Sequence, residues 1–377
     1  MKKTLVYGWF GEDNLGDELL LNETLELLSE NKDIEAYVMC SNPLRVKKNH
    51  CVRVAAVAID GTLKKYIKAI LLSPWTIIKC LYQTDNLIIA GGGAISDWNY
   101  SSTKEMFFLI NWFKRRNKKV YLLGVGAGPI TKERKYGRFY NVLSKADVIT
   151  VRDEFSKSEL NKIGLNNVYK SNDLVTYKTF NGYNIENTTQ INKIGLVLVP
   201  VCQNTKNVYE DLKRELSNLI KELSNLIKEL STKYEVSIIP FQINYDMEFI
   251  NELEFDKSLV KILKPKHLWD TLDYMYEQDC IIGMRYHSLV LAIQMKKYFI
   301  PIIYHSKSAE LCKEYGVEEY ASSVGDGENW GKSNINSEDI IKNIGKLEKD
   351  INFISHNNSI LLAKKMNNKE KEIIKGL

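Results

Sequence analysis

The sequence lacks the features of a membrane-spanning, disulfide-stapled or metal-organised protein. Its six cysteines include no CxxC pair, and its five histidines show no metal-ligand spacing. No metal site is therefore expected. Four of the cysteines lie in or beside apolar runs, so buried free thiols in a reducing compartment are the expectation. Charge of one sign is also missing. The 52 basic and 47 acidic residues leave a net +5. That surplus is too small for a nucleic-acid-binding protein, though it suits an acidic small molecule or a mild attraction to a membrane.

Long hydrophobic runs are absent too. The greasiest segment, YIKAILLSPWTIIKCLYQ (66–83), is interrupted by Lys68 and Lys79 and broken by Pro74, so it does not span a bilayer. The N-terminal MKKTLVYGWFG resembles a signal peptide for two residues only, and its apolar stretch stops at Gly8. A soluble, cytoplasmic chain is expected.

What is present is an α/β pattern. A length of 377 residues suits two domains, and 44% hydrophobic with 26% charged residues is a globular composition. In the first half, TLVYG, IEAYVM, NLIIA, KVYLLGVG and DVITV are continuous apolar runs, as parallel strands covered on both faces require. Helical segments such as DELLLNETLELLSE (17–30) separate most of them, giving βαβ units. A polar stretch at 179–193 reads as a linker. The alternation then restarts with IGLVLVP, VSIIPF, LVKIL, CIIG and FIPIIY. This predicts two Rossmann-like domains, at 1–178 and 194–336, and a lysine-rich helical tail at 337–377 that returns to the first domain. SNLIKEL occurs at 217–223 and again at 224–230. Seven residues are about two helical turns, so the duplication lengthens one helix and keeps Leu216, Leu223 and Leu230 on one face.

Three strand ends of the first domain are glycine-rich: GWFGEDNLGDE (8–18), AGGGAISD (90–97) and GVGAGP (124–129). Glycine there lets a backbone approach a ligand, and ligands gather at the carboxyl ends of parallel strands. Asp17 and Glu18 open a helix, where they would repel phosphate, so this loop suits sugar hydroxyls. A glycine turn with two capping acids explains it equally well. TVRDEFS (150–156) puts Arg152 directly after a strand, either to grip an anion or to pair with Asp153. GMRYHSLVLAI (283–293) is the sharpest signal. It sets Arg285 and His287 where a strand of the second domain meets a helix, with Lys307 of YHSKSAEL at the end of the adjacent strand.

Together these segments resemble the polysaccharide pyruvyl transferase family. The matching residues are Asn14 to Glu18, Gly91 to Gly93, GVGAGP, Arg152, Asp153, Ser156, Asp173 and Gly283 to His287, in the family's order. Two positions depart from its pattern: Tyr286 replaces the usual Leu, and Tyr-His-Ser-Lys at 304–307 replaces Tyr-Asp-Pro-Lys.

The resemblance implies a GT-B-like fold with the active site in the inter-domain cleft. It also implies transfer of a pyruvyl group from phosphoenolpyruvate to two hydroxyls of a sugar, forming a ketal. The donor is a co-substrate, and no cofactor is implied. On this reading Arg152, Arg285 and Lys307 bind the donor, His287 is the acid, and Asp17 or Glu18 is the base. Asn14, Gly16, Gly92, Gly93 and Gly126 form the acceptor-side loops. The acceptor is a sugar or lipid-linked oligosaccharide of a cell-surface polysaccharide. The alternatives are a nucleotide-sugar glycosyltransferase of the same fold and a non-catalytic sugar-binding protein. Trp75, Ile77, Ile78 and Leu72 among Lys64, Lys65, Lys68 and Lys79 suggest peripheral contact with the inner membrane face, against the simpler reading of a buried helix pair.

Overall fold

The computed structural model describes residues 1–58, 67, 74–93, 95–97, 100–188, 190–200, 209–324 and 335–377. It divides into two units: Met1–Thr179 with Lys364–Leu377, and Phe180–Ala363.

Unit 1 contains strands β1 (Lys2–Tyr7), β2 (Ile34–Cys40), β3 (Val54–Val57), β4 (Asn86–Ala90), β5 (Lys119–Val125), β6 (Val148–Val151) and β7 (Tyr169–Lys170). They form one parallel sheet in the order β3-β2-β1-β4-β5-β6-β7. All five residues of β4 are buried, as expected for a strand with helices on both faces. Leu87 and Ile89 of β4 join Leu109, Ile110 and Phe113 of the Tyr100–Lys114 helix in the core. Each such side chain contributes about 1.5–3 kcal/mol on burial. The strand order reverses between β1 and β4. The loops leaving these two strands, which begin at Gly8 and Gly91, therefore flank the point where a doubly wound sheet opens a crevice.

Unit 2 contains β8 (Lys193–Val197), β9 (Glu235–Ile238), β10 (Val260–Ile262), β11 (Cys280–Gly283), β12 (Tyr298–Ile303) and β13 (Ser322–Ser323). This sheet is also parallel, in the order β10-β9-β8-β11-β12-β13, and it reverses between β8 and β11. The duplicated heptads lie in the Tyr209–Leu230 helix. Leu219, Leu223, Leu226, Ile227 and Leu230 form its buried stripe, whereas Leu216 is only partly covered.

The polar 179–193 stretch is not a free connector. Most of it lies against unit 2. Tyr183 Oη donates to Asp273 (2.6 Å), Tyr276 Oη donates to the Asn184 carbonyl (2.8 Å), and Asp279 accepts from the backbone N–H groups of Asn192 and Lys193. The lysine-rich segment from 337 is not one body either. Its Ser337–Leu347 helix belongs to unit 2, and Phe353 stacks there on Tyr298. Residues from Lys364 onward belong to unit 1, where the fully buried Glu370 accepts hydrogen bonds from Thr150 (2.6 Å), Ser171 (2.6 Å) and Tyr177 (3.0 Å). Cys40, Cys80, Cys280 and Cys312 are free and buried, and Cys51 is free and exposed. Among the described residues no helix is long and apolar enough to cross a membrane.

Candidate active site

At the edge of unit 1, the helix Leu15–Ser29 starts because Asn14 caps it. The Asn14 side chain accepts from the Gly16 N–H at 3.2 Å. Asp17 and Glu18 fill the first turn, where the helix dipole favours carboxylates. Their environments differ. Asp17 is partly exposed. Glu18 is fully buried, with one oxygen accepting from the Gly11 N–H at 2.6 Å and the other 2.7 Å from His50 Nε2. Glu18 therefore pins the loop after β1 to His50, with both of its oxygens engaged. That arrangement favours a structural task for Glu18 over the expected one as a base.

Arg152, expected to hold donor anions, is also enclosed. It is 5% exposed. Its Nε lies 3.2 Å from Asp153 and its Nη1 3.3 Å from Asp173, so with these two carboxylates the cluster is formally −1. The Arg152 charge is already answered by these two carboxylates. Both aspartates have structural tasks as well. Asp153 caps the Glu154–Lys162 helix through the Ser156 N–H (2.7 Å), and Asp173 accepts from the Val175 N–H (3.0 Å). Ser156 Oγ in turn accepts from the Ala127 N–H at 2.9 Å. A Cβ on Gly126 would sit 2.7 Å from the Arg152 guanidinium, which explains the glycine there. The motif is a brace joining the ends of β5 and β6. Gly92 has φ +70°, and a Cβ on either Gly92 or Gly93 would meet no atom within 4 Å among the described residues. The loop after β4 is thus the open part of this edge. Sequence reading missed one pair here. Tyr7, the last residue of β1, donates to Glu105 at 3.0 Å, and both are buried.

At the edge of unit 2, β11 ends at Gly283 and the helix Tyr286–Gln294 follows, with Arg285 at its capping position. The Met284 N–H donates to the Val197 carbonyl at 2.8 Å, which fixes this turn across the point where the strand order reverses. Arg285 is clamped by Asp246, a residue that sequence reading did not single out. Asp246 is fully buried and accepts from the N–H groups of Phe241 and Gln242, both at 2.9 Å. One of its oxygens takes Arg285 Nε at 3.2 Å and the other takes Nη2. A two-point clamp of this kind fixes the guanidinium plane. Tyr245 lies beside it. Burial raises its phenol above the ordinary range, Arg285 acts in the opposite direction, and Asp246 and Tyr304 raise it further.

His287 occupies the second position of the Tyr286–Gln294 helix and is partly exposed. Its ring meets Tyr286 edge-on, with centroids 5.2 Å apart. On the adjacent strand end, His305 caps the helix Ser306–Tyr315, and its Nδ1 accepts from the Lys307 N–H at 3.2 Å. Histidine thus performs a capping task at this strand end. Lys307 is half-buried, with its Nζ 5.9 Å from the centre of the Tyr304 ring. No carboxylate among the described residues pairs with it. No group of His, Cys, Asp and Glu among the described residues is arranged to hold a metal ion.

Similar solved structures share this fold at low identity. S. aureus MnaA in complex with UDP matches at a TM-score of 0.59 and 14% identity, over 100% of this chain and 98% of that one. UDP-GlcNAc 2-epimerase from Neisseria meningitidis bound to UDP-GlcNAc matches at 0.55 and 12%, over 100% and 99%. The spinosyn rhamnosyltransferase SpnG complexed with thymidine diphosphate matches at 0.54 and 8%, over 100% and 99%. The fold is accordingly GT-B-like. No curated protein matches the chain. The family description polysaccharide pyruvyl transferase matches residues 14–306, which takes in both sheet edges. The chain therefore belongs to the polysaccharide pyruvyl transferase family and is a transferase enzyme.

Proposed function

We propose that the protein transfers a pyruvyl group from phosphoenolpyruvate to two hydroxyls of a sugar, in a cell-surface polysaccharide or its lipid-linked precursor. The products are a cyclic pyruvate ketal and inorganic phosphate. The observation that carries this reading is Lys307, which pairs with no carboxylate among the described residues and lies at the strand end next to Arg285 and His287. Phosphoenolpyruvate has a carboxylate and a phosphate, so it calls for cations that are not already neutralised.

In this reading Lys307 and the outer N–H groups of Arg285 bind the donor anions. His287 gives a proton to the methylene carbon of the enol, and the neighbouring carbon becomes oxocarbenium-like. One sugar hydroxyl adds to that carbon, the bond to the phosphate oxygen breaks, and the second hydroxyl closes the ketal. Of the two hydroxyl protons, one leaves with phosphate and the other restores His287. Asp17 is the candidate to accept a hydroxyl proton, because Glu18 is occupied by His50 and Gly11. The reaction needs no cofactor. Free buried thiols fit a reducing compartment, and we propose a cytoplasmic setting.

The test is phosphate release on mixing the protein with phosphoenolpyruvate and lipid-linked glycan, with mass spectrometry of the glycan. Release with gain of the pyruvyl mass supports the reading. The second reading, a nucleotide-sugar transferase, draws on the nucleotides named with the similar structures. A diphosphate is also an anion that Lys307 could hold. Glycan that gains a sugar rather than pyruvate would favour it.

A further inference from the structure

The helix Pro74–Tyr82 turns one face into the core through Ile77, Cys80 and Leu81. Its opposite face is apolar as well. Trp75 is 76% exposed, Ile78 43% and Tyr82 53%. They recur at i, i+3 and i+7, which is one stripe of a helix. Lys79, also exposed, lies within it. An exposed stripe of large apolar residues on a helix whose other face already fills the core calls for an occupant.

The neighbouring helix Tyr100–Lys114 extends this surface. Trp112 meets Tyr82 edge-on at 5.4 Å and donates to the Leu81 carbonyl at 3.2 Å. Arg116 lies 3.6 Å from the centre of the Trp112 ring and 5.2 Å from that of Tyr82. Arg115 is exposed next to it, and Lys118 donates to the Tyr82 carbonyl at 3.2 Å. Neither helix exposes a carboxylate. Pro74–Tyr82 contains none, and Glu105, the only acid in Tyr100–Lys114, is 6% exposed. The surface therefore combines tryptophan, tyrosine and isoleucine with cations of one sign.

We propose that this face of unit 1 docks on an anionic lipid bilayer. Tryptophan and tyrosine rings settle at the boundary between headgroups and acyl chains, and lysine and arginine reach the phosphates around them. The exposed charges of these two helices are all positive, which favours a negatively charged surface over a neutral one, while the exposed Asp85 beside Lys118 offsets part of that charge. Docking of this kind would bring the enzyme to lipid-linked acceptors. The proposal itself does not depend on which group the enzyme transfers.

The full chain is tested by co-sedimentation with vesicles of phosphatidylcholine alone and of phosphatidylcholine with phosphatidylglycerol. Binding to the phosphatidylglycerol vesicles is expected, and it weakens in high salt. Each cation contributes on the order of fivefold in affinity. Trp75→Ser with Ile78→Ser should reduce binding about tenfold or more. Lys79→Glu with Arg115→Glu should reduce it further and shift the salt dependence. All four side chains are exposed, so the variants keep the fold, and unchanged melting temperatures check this. Equal binding by wild type and both variants overturns the proposal, as does equal binding to neutral vesicles. A wild-type dimer that Trp75→Ser with Ile78→Ser makes monomeric, without vesicle binding, overturns it in favour of a contact between copies.

Discussion

The two sheets are wound alike. Each is parallel, and each reverses its strand order beside its first strand. Their carboxyl edges differ in how charge is used. In unit 1 two of the motif charges are buried and answered, Glu18 by His50 and the Gly11 N–H, Arg152 by Asp153 and Asp173, while Asp17 is partly exposed. In unit 2, Asp246 holds Arg285 in place, while Lys307 faces no carboxylate among the described residues. One edge uses ionic motif residues to build loops. The other presents them. The lesson is that a shared family motif can mark a brace as readily as a binding group, and burial decides between the two.

Substitutions sharpen this contrast. The largest effect is expected for His287→Gln, which keeps a hydrogen-bond donor but cannot deliver a proton. Its kcat should fall roughly 10²–10⁴-fold with little change in melting temperature. Near wild-type turnover would leave His287 as a binding residue only. Arg152→Ala should act the other way. Removing the cation leaves two buried aspartates facing each other, so unfolding free energy should drop by about 3–5 kcal/mol. Denaturant titration measures this, and a stable Arg152→Ala enzyme with a raised KM for phosphoenolpyruvate would return Arg152 to the donor site.

Glu18→Gln should cost about 1–3 kcal/mol, because His50 and the Gly11 N–H lose part of their acceptor. Its kcat should change far less than that of His287→Gln. Lys307→Ala should raise KM for phosphoenolpyruvate roughly tenfold with stability unchanged, since the side chain is half-exposed and supports no ion pair among the described residues. The smallest effect is chemical. Burial pushes the Cys80 and Cys312 thiols up to about 12, and raises Cys40 and Cys280 further still. Among these and Cys51, thiol labelling of the native protein should reach Cys51 alone, as peptide mapping would show.

Much of this architecture was legible in the sequence, because buried parallel strands are apolar without alternation. NLIIA, CIIG and DVITV announce themselves in that way. β3 is four residues of VAAV, and β7 and β13 are two-residue pairings of Tyr-Lys and Ser-Ser, so composition carries no signal for them. Pairings distant in sequence were equally silent. Asp246 lies 39 residues from Arg285, and Glu370 lies 220 from Thr150. Nothing local tells a reader that these carboxylates are buried. The charged motif positions were found, and pairing of Arg152 with Asp153 was one of the two readings offered, but the sequence could not choose between them, because a lone Arg-Asp dipeptide reads the same whether it faces solvent or a second aspartate. The membrane reading of 64–82 rested partly on Lys64, Lys65, Lys68 and Leu72, which lie outside the described residues. The exposure of Trp75 and Ile78 and the acid-free neighbouring helix come from the fold.

The central claim is that unit 2 carries the donor-anion site and that Lys307 supplies its unneutralised charge. Thermal unfolding in the presence of phosphoenolpyruvate tests it most directly. A ligand at a hundredfold excess over its Kd stabilises the folded state by about 2.7 kcal/mol. The account predicts a higher melting temperature for the wild type and for Glu18→Gln, and a much smaller rise for Lys307→Ala. Protection by a UDP-sugar but not by phosphoenolpyruvate, or equal protection of wild type and Lys307→Ala, would contradict it.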